Sequence, residues 1–159
     1  MKSKKGFTLV ELLVTITILG IISMVAIPNI VGVVKRNKDK TYVEDAKKLV
    51  SLAEYKFRSD TSISIPTNGC VKMTMEYLGD DEFENAPNGG GYDVNNSYVK
   101  IKFENNTYKY YVTIRENTSS NSKTGVVLTE SSNLYDEDKI SDIIKTGSDL
   151  EVDNIGDCS

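Results

Sequence analysis

The run Lys4-Lys5-Gly6-Phe7-Thr8-Leu9-Val10-Glu11, followed without a break by apolar residues as far as Val34, decides how this chain is organised. Phe7 to Val34 is nearly all apolar, whereas everything beyond Lys35 is polar and rich in Asn, Ser, Asp and Lys. That is the pattern of an apolar rod joined to a water-soluble head. Leu12 to Val34 is 23 residues, enough to cross the roughly 30 Å of a bilayer core as a helix rising about 1.5 Å per residue. Lys2, Lys4 and Lys5 ahead of an apolar stretch are also how a secretory signal begins. The far end, Met24-Val25-Ala26, lacks the small-x-small cleavage pattern, and a carboxylate, Glu11, stands inside the apolar stretch. Lysines on one side are balanced by Lys35, Arg36, Lys38 and Lys40 on the other, so flanking charge does not set an orientation.

Glu11 and Pro28 are the two residues of the rod that an ordinary membrane anchor does not need. An ionised carboxylate in hydrocarbon costs at least about 3 kcal/mol, so it calls for a partner of opposite charge. Pro28 removes one backbone donor and sets its ring against the carbonyl of Met24, which predicts a kink or a locally melted turn. Gly20 and Gly32 add weak points to the same helix.

The order of basic leader, glycine, phenylalanine, a glutamate four residues on and an unbroken apolar helix resembles the signal of type IV prepilins. In that family a membrane-embedded prepilin peptidase cuts after the glycine and methylates the new amine. The resemblance implies cleavage between Gly6 and Phe7, with Phe7 becoming N-methylphenylalanine, and gives Glu11 and Pro28 as assembly residues. It covers about thirty residues. A free amine on Phe7 of a neighbouring subunit would offset Glu11, and two opposite charges in low dielectric would fix the axial register between subunits.

Beyond the rod the helix is expected to continue, because Val43, Ala46, Val50, Ala53 and Phe57 recur at steps of three and four, widened by Tyr42, Leu49 and Leu52. It should end near Ser59, before Pro66. Unbroken from Phe7 to Arg58, it would be about 78 Å long, more than a small domain can bury. In the head, Val99, Ile101 and Phe103 alternate with charged residues, and after Asn105-Asn106 the alternation resumes with Tyr108, Tyr110, Val112 and Ile114. A two-residue turn at the asparagines would pair Phe103 with Tyr108, Ile101 with Tyr110 and Val99 with Val112. Gly125 to Thr129 is a third strand, and short helices are expected around Val71 to Leu78 and from Asp136 to Lys145, capped by Asp136 or Asp138. The fold class is thus α+β: a long N-terminal helix, half membrane-spanning and half amphipathic, packed on a small antiparallel sheet, similar to the αβ-roll of pilins. The expected divisions are a leader over 1–6, a membrane and assembly helix over 7–34, and a head over 35–159.

Composition removes several function classes. There is no His in 159 residues, which takes away the commonest general base and metal ligand. The net charge of −4 becomes −7 once Lys2, Lys4 and Lys5 are lost, which disfavours nucleic-acid binding by a basic patch. Asn88-Gly89-Gly90-Gly91 follows Pro87 with no Lys-Ser/Thr after it, and so reads as a loop and not a phosphate cradle. The acidic set Asp136, Glu137, Asp138, Asp149, Glu151, Asp153 and Asp157 lacks EF-hand spacing, and reads as solvated surface in preference to a calcium site. Asn95, Asn105 and Asn117 open Asn-x-Ser/Thr triplets, which chance supplies in an Asn-rich chain. Cys70 and Cys158 match no metal spacing, and behind an exported segment they read as a structural disulfide, with two buried thiols as the other reading.

The expectation is therefore a structural subunit, with no catalytic residue, cofactor or metal. The resemblance implies a type IV pilin, in the first place a major one, serving adhesion, surface motility or biofilm. Its implied partners are other copies of itself and related pilins, the prepilin peptidase, the cytoplasmic membrane and the pilus assembly platform. It would sit as a single-pass protein in the cytoplasmic membrane before assembly and in an extracellular filament afterwards. The alternatives are a pseudopilin of a type II secretion or DNA-uptake system, and a minor pilin.

Overall fold

In the computed structural model, residues 6–66, 69–79, 81, 83, 85–118, 123–151 and 158 are described, apart from the side chains of 26–29 and 151. Lys2, Lys4, Lys5, Asp153, Asp157 and the side chain of Pro28 lie outside this set. The chain divides into two compact units, Met1–Asn37 and Lys38–Ser159.

Helix α1 runs Leu9–Ser59, ending where the alternation of apolar residues stops and Asp60 begins a polar turn whose carboxylate accepts from the Ser62 amide at 3.0 Å. Its first unit is exposed along its whole described length: Phe7, Leu12, Ile16, Ile18, Ile21, Val31 and Val33 all face outward. Among the described residues no single helix is both long and apolar enough to cross a membrane; the segments Leu9–Val25 and Ile30–Ser59 pass that test only together, as a bent pair, by length and composition.

In the second unit, the stripe expected from the sequence is the buried face: Tyr42, Val43, Ala46, Leu49, Val50 and Ala53 pack into one core with Met73, Val99, Ile101, Val112, Ile114 and Val126. The sheet facing that stripe has five antiparallel strands in sequence order, β1 (Cys70–Thr74), β2 (Tyr98–Glu104), β3 (Thr107–Arg115), β4 (Thr124–Glu130) and β5 (Ile144–Thr146). The β2–β3 hairpin turns on Asn105 and Asn106, both at positive φ (50° and 64°), as a two-residue turn compatible with right-handed strand twist requires. Its register pairs Phe103 with Tyr108, Ile101 with Tyr110 and Val99 with Val112, the pairing that the sequence predicts.

Two expectations are corrected. The piece from Val71 to Leu78 is not a helix throughout: β1 occupies Cys70–Thr74 on the sheet edge, and only the single turn α2 (Met75–Leu78) is helical, capped by the Thr74 hydroxyl. The piece from Asp136 to Lys145 breaks into a 3-10 turn (Glu137–Lys139), a helical turn α3 (Ile140–Ile143) and then β5. Asp136 does cap it, accepting from the Asp138 amide at 3.2 Å. In both cases a strand position beside an existing strand satisfies backbone groups that a short helix would leave open.

At the β3–β4 register shift, Gly125 lies so near Ile114 that an added Cβ would stand 2.0 Å from the Ile114 carbonyl oxygen. Only glycine permits that approach.

Candidate assembly site

The start of α1 gathers three of the residues singled out in the sequence, Gly6, Phe7 and Glu11. Gly6 and Phe7 precede the helix, and Phe7 is 85% exposed. Thr8 then acts as N-cap: its amide and its hydroxyl both donate to Oε2 of Glu11, each at 2.9 Å, while the Glu11 amide donates back to the Thr8 hydroxyl at 3.2 Å. This reciprocal Thr-x-x-Glu arrangement satisfies amides that the first turn of a helix would otherwise leave unpaired. The carboxylate also sits where the helix dipole favours negative charge. Sequence reasoning gave Glu11 its role but passed over Thr8, although the spacing Thr8-Leu9-Val10-Glu11 carried the signal.

Along the rod, the few hydroxyls are turned inward on their own helix. Thr15 donates to the Glu11 carbonyl at 2.6 Å, Thr17 to Leu13 at 2.5 Å and Ser23 to Leu19 at 2.8 Å. The polar atoms are thus satisfied without water, as hydrocarbon or a helical neighbour demands. Around Gly20 and Gly32 an added Cβ would meet nothing within 4 Å, so their small size answers no need inside this chain. Pro28 lies within α1, some five turns beyond Glu11.

In the second unit, Cys70 on the edge strand β1 is bonded to Cys158, 88 residues on. A polar network closes the loop that carries the glycine run onto the helix. Lys38 Nζ donates to Asn88 Oδ1 at 2.9 Å, Asn88 Nδ2 donates to the Tyr42 hydroxyl at 3.0 Å, and that hydroxyl donates to Glu116, whose other oxygen accepts from the Thr124 amide at 3.0 Å. Glu116 is 1% exposed, so these bonds are what make its burial tolerable. Beside it the Tyr92 hydroxyl donates to Asp45 at 2.5 Å. Burial first, and then the hydrogen bond to a carboxylate, push both phenols far above their ordinary range: Tyr42 against Glu116 and Tyr92 against Asp45. The loop reading of Asn88-Gly89-Gly90-Gly91 holds. Among the described residues no group of three or more acidic or sulfur side chains could hold a metal ion.

Residues 1–27 match the family described as the prokaryotic N-terminal methylation motif. Over 65 residues the chain is 40% identical to the type IV wide pilus major component PilA4 of Thermus thermophilus, an alignment covering 39% of this chain and 50% of that relative. The match therefore spans only half the relative's length. No solved structure matches at a significant level. With the methylation motif at its start and a long N-terminal helix packed on an antiparallel sheet behind it, the chain is similar to type IV pilins in its N-terminal motif and in its α+β arrangement.

Proposed function

We propose that this chain is the major structural subunit of a type IV pilus, a structural role and not a catalytic one. The observation that carries the proposal is a methylation motif feeding into an apolar helix whose large side chains, from Phe7 to Val25, are exposed. So large an apolar surface is stable only in a membrane or against other copies of itself. Residues 1–6 are a leader that the prepilin peptidase removes between Gly6 and Phe7, with methylation of Phe7. The helix over 7–34 holds the subunit in the cytoplasmic membrane until the assembly platform draws it into an extracellular filament with other copies and related pilins. The head over 35–159 covers the outside.

In that filament Glu11 of one subunit faces the Phe7 amine of the next, and Pro28 supplies the weak point at which the helix yields on leaving the bilayer. The Thr8 bonds occupy only Oε2 of Glu11, which leaves Oε1 for the incoming amine.

The test is abundance. Filaments sheared from cells, resolved by gel and identified by mass, should consist mainly of this chain beginning at methylated Phe7. Low-copy, cell-bound protein with no filament band would instead assign it to a secretion or DNA-uptake apparatus, or to a minor subunit.

A further inference from the structure

The loop that closes onto α1 holds an asparagine followed by glycine, the dipeptide in which a side-chain carboxamide is most open to attack by its own backbone. Asn88 is exposed, and Gly89 has φ of +96° with nothing within 4 Å of an added Cβ. No side chain therefore shields the Gly89 nitrogen from the Asn88 carbonyl carbon. Both ends of the carboxamide are nonetheless held: Oδ1 by Lys38 at 2.9 Å and Nδ2 by the Tyr42 hydroxyl at 3.0 Å. The Gly89 amide is occupied as well, donating to the Ala86 carbonyl at 2.8 Å. Attack requires the carboxamide to rotate until its carbon faces that nitrogen, and such rotation breaks both side-chain bonds.

We infer that Asn88 is a deamidation site, held in check by Lys38 and Tyr42. In the reaction the Gly89 nitrogen loses its proton to hydroxide and bonds to the Asn88 side-chain carbon. The side-chain nitrogen leaves as ammonia, taking a proton from water, and a five-membered imide remains. Water then opens the imide at either carbonyl, giving aspartate or isoaspartate, so the net change is one water consumed and one ammonia released. The product places a carboxylate where Nδ2–H donated to Tyr42, beside the buried Glu116. Repulsion between the two carboxylates and the loss of that donor release the loop from the helix. The site thus converts slowly, and conversion opens the network in one direction only.

The full-length chain, purified in detergent as wild type, Lys38→Ala and Tyr42→Phe, is incubated at mildly alkaline pH and mapped by peptide mass and isoaspartate labelling. Asn68, which precedes the other Asn-Gly glycine of the sequence, serves as internal reference in each digest. We expect Lys38→Ala to raise the rate at Asn88 about tenfold, the factor carried by one hydrogen bond to a charged group, with Tyr42→Phe acting in the same direction and the rate at Asn68 unchanged. If Tyr42→Phe unfolds the head, both asparagines accelerate in that variant, and Lys38→Ala alone decides. Equal rates at Asn88 in wild type and Lys38→Ala would overturn the inference. So would ammonia loss in wild type with Lys38 and Asn88 joined in one cross-linked peptide, because Lys38 would then be the nucleophile and not the guard.

Discussion

Thr8 and Glu11 complete one another's hydrogen bonding at the first turn of α1, with the threonine amide and hydroxyl both aimed at a single carboxylate oxygen. In the proposed filament this holds the Glu11 charge in one rotamer before a neighbouring subunit arrives, so less side-chain entropy would be lost on contact. Glu11→Ala should leave processing intact and nearly abolish entry into sheared filaments. Glu11→Gln keeps the acceptor but removes the charge, and should fail almost as completely. Thr8→Val, which loses a cap worth about 1 kcal/mol, should reduce filament yield severalfold without abolishing it. Immunoblots of membrane and sheared fractions measure all three, and wild-type filament levels from Glu11→Ala would refute the role of charge.

Gly6→Arg should behave in the opposite order. It should block removal of the leader, leaving Phe7 without a free amine, and the protein should accumulate in the membrane with a folded head. N-terminal mass determination on the membrane fraction distinguishes uncut from cut chain. A cut chain in this variant would mean that Gly6 is not what the peptidase reads.

The bond between Cys70 and Cys158 closes a loop of 88 residues, for which chain entropy gives a stabilisation of about 4 to 5 kcal/mol. Cys158→Ser should therefore lower the denaturant midpoint of a truncated chain beginning at Lys35 and shift it to the value of the reduced wild type. Equilibrium unfolding with and without reductant makes the comparison. Intact mass of exported protein should change by two hydrogens on reduction.

Alkaline pH should weaken the same truncated chain through Tyr42 and Tyr92. Both phenols are held far above their ordinary range by burial and by Glu116 and Asp45. Well below pH 10 each is protonated whether folded or unfolded, and the stability they contribute is fully present. As pH rises further the unfolded chain releases protons that the folded chain keeps, so stability falls by about 1.4 kcal/mol per pH unit for each phenol. Thermal melts at rising pH should show this loss, and Tyr42→Phe or Tyr92→Phe should each make the slope shallower. An unchanged slope in both variants would mean that neither phenol is held as described.

What could be read in advance followed from periodicity and from local motifs. The stripe on α1 and the β2–β3 register were legible because each repeats over four or more residues on one face, and because Asn105-Asn106 supplies the positive φ that the turn needs. Strand β1 was not, since Val71 and Met73 alternate with Lys72 and Thr74 over too short a run to separate strand from helix, and its pairing with β2 decides the matter. The three residues of β5 carry still less pattern. Glu11 stood out as the only ionisable side chain of the rod, while Thr8 was hidden inside the same motif. The Lys38, Asn88, Tyr42 and Glu116 network left no trace in the sequence, because its hydrogen-bonded pairs lie 46 to 74 residues apart and meet only through the tertiary fold.

All five strands, from Cys70 at the start of β1 to Thr146 at the end of β5, lie between the two bonded cysteines. Tension that enters along α1 and leaves through the C-terminus therefore has a covalent shortcut: it passes from Cys70 to Cys158 across sulfur, and the sheet is slack in that circuit. However hard α1 and Cys158 are pulled apart, the contour between them that can extend is limited to the helix and the short connection before Cys70. The sheet can be unravelled by heat or denaturant, but a load applied between those two points stretches the helix and leaves the strands in register.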